Sequence, residues 1–114
     1  MDLAISSRSV GNYSVVAVEG EVDVYSAPAL DEVLSGLIAE GNTRLVIDLT
    51  EVGFLDSTGL GVLVKALKRV READGSLAVV TASERVLKVF RITGLDVVMS
   101  LVPSVDDALA TDGS

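Results

Sequence analysis

Arg44-Leu45-Val46-Ile47-Asp48-Leu49, followed after two residues by Val52-Gly53-Phe54-Leu55-Asp56-Ser57-Thr58-Gly59-Leu60-Gly61, is the stretch that decides the fold. Its first six residues have the length and near-continuous apolar character of a strand covered on both faces, which places them inside a sheet. A helix is predicted after Asp56-Ser57-Thr58-Gly59, turning Leu60, Leu63, Val64, Leu67 and Val70 inward and Lys65, Lys68, Arg69, Arg71 and Glu72 outward. Asp74-Gly75 ends it. A buried strand feeding an amphipathic helix through a short polar turn is one crossover of a parallel sheet.

Upstream, the mixed segment Leu3 to Ser7 and the β-branched run Tyr13 to Glu19 flank the turn signal Gly11-Asn12 and read as a hairpin. Beyond Gly20-Glu21-Val22-Asp23, Ser26 is the candidate N-cap of a first helix with Pro28 in its first turn, Asp31 and Glu32 near its positive end, and Gly41 after it. Leu30, Val33, Leu34, Leu37 and Ile38 share one of its faces. Downstream, Leu77 to Thr81 is a further strand, and Ser83 caps a short helix carrying Val86, Leu87 and Phe90 that Gly94 stops. Val97 to Val102 reads as the last strand, and Ser104 as the cap of a final short helix through Leu109. Phe90 and Met99 are assigned to the core. The order is ββαβαβαβα, an α/β fold with a mixed β-sheet and helices over it. Residues 1–110 read as one domain and 111–114 as a frayed tail.

A length of 114 residues suits one domain of roughly 100 to 150 residues. The 49% hydrophobic, 23% charged composition is that of a globular interior and not of a disordered chain. Seventeen acidic against nine basic residues give a net charge of −8, which opposes binding to a nucleic-acid backbone. With neither cysteine nor histidine, a disulfide framework, the favoured ligands of zinc, a Ser-His-Asp triad and a Cys-His pair are all absent, whereas a carboxylate mechanism or a hard-cation site stays open. Met1-Asp2-Leu3 begins no signal peptide, and no apolar run reaches the roughly 18 residues of a membrane span, so the cytoplasm is the expected location.

The segment from Asp56 to Gly61 sets small hydroxyl residues where a strand's loop enters a helix, a favoured location for binding. The economical reading is that Asp56 or Ser57 only caps the helix. Capping leaves Gly59 and Gly61 unexplained, because each glycine in a helical turn costs roughly 1 kcal/mol relative to alanine. Nucleotide readings fail on detail: Val64 stands where a dinucleotide fingerprint needs its third glycine, no Walker loop occurs, and Leu55 occupies the first glycine of a hydrolase elbow around Ser57. A phosphoryl group suits a hydroxyl at a helix start, where it meets unpaired N–H groups and the positive end of the dipole. Beside Asp56 it would also leave a strongly acidic surface, so such a switch acts on docking and leaves folding alone.

Two motifs carry a family resemblance. Gly20-Glu21-Val22-Asp23 resembles the Gly-Glu-hydrophobic-Asp turn, and Val46-Ile47-Asp48-Leu49 with Phe54-Leu55-Asp56-Ser57-Thr58-Gly59 resembles the phosphorylation loop, of the STAS domain family, specifically the bacterial anti-sigma factor antagonists. The resemblance spans roughly Leu3 to Leu109. It implies that Ser57 is phosphorylated by a cognate anti-sigma factor that is itself a serine kinase of the GHKL-type ATP-binding fold. It further implies that the unmodified chain binds this kinase and frees the sigma factor, and that a separate serine phosphatase reverses the modification. Asp23 matches the acidic residue beside the loop; Asp56, Thr58 and Gly59 match its neighbours at the docking surface. No cofactor, metal, catalytic residue or membrane contact is implied, so the chain is expected to be substrate and ligand, not enzyme. Threonine at 58 leaves a second hydroxyl, and the family register selects Ser57.

Bland readings accompany these. Asp23 on position alone solvates a turn. Lys65, Lys68, Arg69 and Arg71 read as a solvated helix side. Val62, outside the main apolar stripe near the helix start, is a candidate contact. The alternatives are a stand-alone STAS scaffold or regulatory subunit, such as a stressosome component or an ABC lipid-transporter subunit, and weak nucleotide binding through Asp56 to Gly61 with Asp23 holding magnesium. A triphosphate there would meet acids and no basic clamp. Ser57→Ala is expected to stay competent to bind, at a cap loss of about 1 kcal/mol.

Overall fold

In the computed structural model, which describes residues 3–110, β1 (Ala4–Val10) and β2 (Tyr13–Val22) form an antiparallel hairpin in which Val10 pairs with Tyr13. Gly11, with φ +61°, occupies the first central position of the two-residue turn, where a type II′ turn demands positive φ and glycine supplies it without strain. Then follow α1 (Ala27–Ala39), β3 (Arg44–Leu55), α2 (Ser57–Glu72), β4 (Ser76–Val80), α3 (Glu84–Ile92), α4 (Leu95–Val98), β5 (Ser100–Val102) and α5 (Val105–Ala110). The sheet runs β1-β2-β3-β4-β5; β2 through β5 are parallel, so each helical crossover advances the chain by one strand. This is the expected mixed sheet with helical cover. Thr111 to Ser114, read as a tail, lie outside the described residues.

β3 lies at the centre. Leu45, Val46, Ile47 and Leu49 are completely shielded, as a strand covered on both faces requires. Strand alternation divides the core in two. Val16, Leu45, Ile47 and Val79 pack under α1, α2 and α3 with Leu34, Leu63 and Phe90, while Val15, Val46 and Val80 meet Ala108 of α5 on the reverse face. Phe90 and Met99 are buried in the first of these clusters, as expected.

Two expectations need correction. β3 continues to Leu55 and β2 to Val22, well past Leu49 and Glu19, and the extensions pair with each other. Register shifts near Glu19 and Gly20 break the two-residue period of the ladder, so Thr50 to Leu55 carry no clean alternation in sequence although Val52 and Leu55 are buried. The second correction concerns Val97 to Val102. Only Ser100–Val102 is strand; Leu95–Val98 form a helical turn absent from the predicted order. Met99 N–H donates to Leu95 O at 2.9 Å and Arg71 Nη2 donates to Val98 O at 2.9 Å, which fixes that turn against α2. Val97 and Val98 face solvent, so their β-branched character reported neither strand nor burial. Among the described residues, no helix is long and apolar enough to cross a membrane.

Candidate functional site

The site grows from the carboxyl ends of neighbouring strands. Val22 pairs with Leu55, and Asp56 N–H donates to Val22 O at 3.1 Å, so the chain leaves β3 tied to the point where β2 ends. Asp56 is extended, with φ −103° and ψ −174°, and its Oδ1 accepts from Thr58 N–H at 2.9 Å and Gly59 N–H at 3.1 Å. That is N-cap geometry: a carboxylate takes two of the N–H groups the first turn cannot satisfy itself, at the helix end where negative charge is favoured.

Capping therefore belongs to Asp56. Ser57 is the first residue of α2, it is exposed, and no hydrogen bond among the described residues holds its side chain. This corrects two expectations: Ser57→Ala removes no cap, and the N–H groups thought to await a phosphoryl group are already engaged at Thr58 and Gly59. Leu60 N–H is also taken, by Asp56 O at 3.1 Å. A phosphoryl group on Ser57 would stand beside the Asp56 carboxylate with little local compensation.

Thr58 is exposed beside Ser57, and Gly59 lies underneath. A Cβ at position 59 would stand 2.5 Å from Leu55 Cδ1 and 2.7 Å from Val22 Cγ1, so this glycine lets the helix start sit directly on the strand ends. The glycine that capping left unexplained is thus accounted for at position 59 by the chain's own strand ends. Val62 is half-buried and packs against the main core, so only part of it can meet another molecule.

Asp23 organises the adjoining loop. Its Oδ1 accepts from Tyr25 N–H at 2.9 Å and Ser26 N–H at 3.0 Å, and its N–H donates to Ser26 Oγ at 2.9 Å. Ser26 Oγ lies 2.7 Å from Glu21 O and 3.2 Å from Asp23 Oδ1; with one proton to give, the hydroxyl donates to the nearer carbonyl. Ser26 thus precedes α1 without capping it through its side chain, contrary to expectation, and is buried as a brace while Ala27 N–H donates to Asp23 O at 2.8 Å. The Ser26 N–H, ahead of the Tyr25 N–H, holds the Asp23 carboxyl below its ordinary value of 3.8, because these donors favour the charged form. The two loops open side by side between α1 and α2, which Lys65 Nζ and Asp31 Oδ2 join at 3.1 Å.

Sequence reasoning missed the apolar surface here: Val24 is 57% and Tyr25 90% exposed, with Phe54 at 42%. The available signal was an aromatic residue set between Asp23 and Ser26, in a turn with no helix or strand face to bury it. Among the described residues, no group of three or more Asp and Glu side chains is gathered closely enough to hold a metal ion.

Fold and site together define a class: a small mixed-sheet α/β domain that presents an exposed hydroxyl at a capped helix start, in a patch both acidic and apolar. The chain belongs to the STAS domain family, which it matches over residues 4–108. It is 38% identical over 95 residues to the anti-sigma-B factor antagonist of Staphylococcus aureus, covering 83% of this chain and 88% of that one. Among solved structures it is similar to an anti-sigma factor antagonist from Mycobacterium paratuberculosis, with TM-score 0.90 and 34% identity over 96% of this chain and 93% of that one. The Bacillus cell fate determinant SpoIIAA in its phosphorylated form shares the fold, with TM-score 0.74 and 22% identity over 95% and 98% of the two chains.

Proposed function

We propose that this chain, a single STAS domain over residues 1–110, is an anti-sigma factor antagonist working in the cytoplasm. Its unphosphorylated form binds a serine-kinase anti-sigma factor of the GHKL-type ATP-binding fold and releases the sigma factor; phosphorylation of Ser57 ends the binding, and a serine phosphatase restores it. Relatives named as antagonists support the class. The observation that carries the switch is the division of labour at the start of α2: Asp56 does the capping, so Ser57 is exposed and without structural duty.

The mechanism is electrostatic. Phosphorylation adds a charge near −2 beside Asp56, whose carboxylate already engages the Thr58 and Gly59 N–H groups, and on the side of the loop that Asp23 organises. A surface docked over Ser57 then meets added bulk and uncompensated negative charge, whereas the fold, which makes no bond to the hydroxyl, is unaffected. In this reading the chain is substrate and ligand, with Asp23, Asp56, Ser57, Thr58 and Val62 at the docking surface and Gly59 supporting it from below.

The test is incubation with each GHKL-type anti-sigma factor of the same genome and magnesium-ATP, followed by intact mass and calorimetry. The reading expects one phosphoryl group, lost in Ser57→Ala, and binding by the unmodified form only. Absence of both transfer and binding would return the chain to a scaffold or transporter-subunit use of the fold.

A further inference from the structure

Gly61 has no internal reason to be glycine. It lies on the exposed side of α2 one turn beyond Ser57, its φ is not in the left-handed region, and a Cβ built there would meet nothing within 4 Å beyond its own chain neighbours and the adjoining helix backbone. Gly59 differs, since Leu55 and Val22 occupy the space its Cβ would need. Glycine is the poorest helix former after proline, so at position 61 the chain gives up helix stability for nothing within itself. What it obtains is a bare strip of helix backbone beside Ser57.

Gly61 shares a helix face with Lys65, which reaches across to Asp31 of α1, so the strip lies on the α1 side of α2, and the loop that enters α1 carries an exposed apolar pair. Val24 and Tyr25 stand in the loop that enters α1, and Asp23 fixes that loop through the Tyr25 and Ser26 N–H groups. The loop cannot drift from the start of α2, because Asp56 N–H is bonded to Val22 O and the Lys65–Asp31 pair joins the two helices farther along. An aromatic side chain brings about 150–250 Å² of contact area at low entropic cost, and Tyr25 keeps nearly all of its area in solvent. Any protein gated by the charge state of Ser57 must cover Ser57, and on doing so it also covers its immediate neighbours.

We propose that Val24, Tyr25 and the bare backbone at Gly61 form the apolar anchor of the docking surface, receiving an apolar ridge of the kinase-type anti-sigma factor laid along α2. The inference rests on the reading of the chain as an antagonist and adds to it what holds the unmodified complex together. Attraction comes from the apolar anchor, and the veto comes from the charge on Ser57, one helical turn from Gly61. Filling the strip should block docking without harm to the fold.

The experiment titrates each GHKL-type anti-sigma factor of the same genome, with magnesium-ADP so that no phosphoryl group is transferred, against the full chain and three variants by calorimetry, alongside thermal melts. Gly61→Leu fills the strip with a good helix former, Tyr25→Ala removes the aromatic anchor, and Gly36→Ala is the control. Gly36 is likewise exposed with open space around it, but it lies near the far end of α1. Gly61→Leu and Tyr25→Ala should each weaken binding about tenfold or more, with melting temperatures at or above wild type for Gly61→Leu and near it for Tyr25→Ala. Gly36→Ala should bind as wild type does. If wild type binds while Gly61→Leu and Tyr25→Ala stay within about twofold of it, the anchor is wrong and the antagonist reading stands. If wild type itself binds none of these proteins, the antagonist reading falls and takes the anchor with it.

Discussion

Asp56 N–H donates to Val22 O at 3.1 Å while Asp56 Oδ1 takes two N–H groups of α2, so a single residue ties the end of β2 to the start of the helix and caps that helix. The arrangement separates two adjacent positions by role. Asp56→Ala should lower stability by about 1 kcal/mol, the usual worth of a lost N-cap. Ser57→Ala should change it by only a few tenths, because the hydroxyl makes no bond there. Urea unfolding of both variants checks this; equal losses would mean that the serine shares the capping.

Ser57→Asp places one negative charge at the first position of α2. The helix dipole favours it by about 0.3–1 kcal/mol, and Coulomb repulsion from the nearby Asp56 carboxylate, about 1 kcal/mol or less through water, opposes it. The two effects offset, so the melting temperature should stay close to that of wild type while binding to the anti-sigma factor is lost. A circular-dichroism melt and a calorimetric titration on one preparation read both sides. A variant that unfolds would show that the position is structural.

Asp23 links this corner of the molecule to pH. Its carboxyl is held below the ordinary 3.8 by the Ser26 and Tyr25 N–H groups. The folded value is thus the lower one, and the contribution of the charged form to stability is complete above the unfolded value of about 3.9 and disappears as pH falls through the folded value. Carbon-detected NMR should give Asp23 a midpoint below 3.8. Asp23→Asn keeps the shape and an acceptor oxygen but not the charge, so any stability gap between it and wild type should be present at neutral pH and close in acid. A gap that stays constant across that range would show that charge plays no part in holding the Val22 to Ser26 turn.

Much of the architecture was legible because it follows from hydrophobic pattern. Arg44 to Leu49 announced a doubly covered strand, the helices showed apolar stripes, and Gly11 and Gly94 marked breaks. The misses share one cause, which is that pairing and exposure are tertiary. Thr50 to Leu55 is strand because β2 supplies partners across register shifts, and Val97 and Val98 are helical and exposed although their side chains favour strands. At the site, the motif placed Ser57 at a helix start, but the sequence left the capping side chain open between Asp56 and Ser57. The spacing of one residue between them is too small to decide which oxygen reaches the Thr58 N–H; the extended backbone of Asp56 decides it. Tyr25 was overlooked because apolar periodicity finds what is buried, and this side chain is not.

Gly59 supplies the last test, since it and Gly61 look alike in sequence and differ in three dimensions. A methyl group at position 59 would press into Leu55 Cδ1 and Val22 Cγ1, two core side chains at the seam between β2 and β3. Alanine is the better helix former by roughly 1 kcal/mol, yet overpacking of a filled core costs about 1–3 kcal/mol. Gly59→Ala should therefore be net destabilising or at best neutral, and Gly61→Ala stabilising by up to about 1 kcal/mol. Paired urea melts compare them directly. A gain at both positions would mean that the Val22 and Leu55 side chains yield readily, and that α2 does not depend on glycine for its seat on the strand ends.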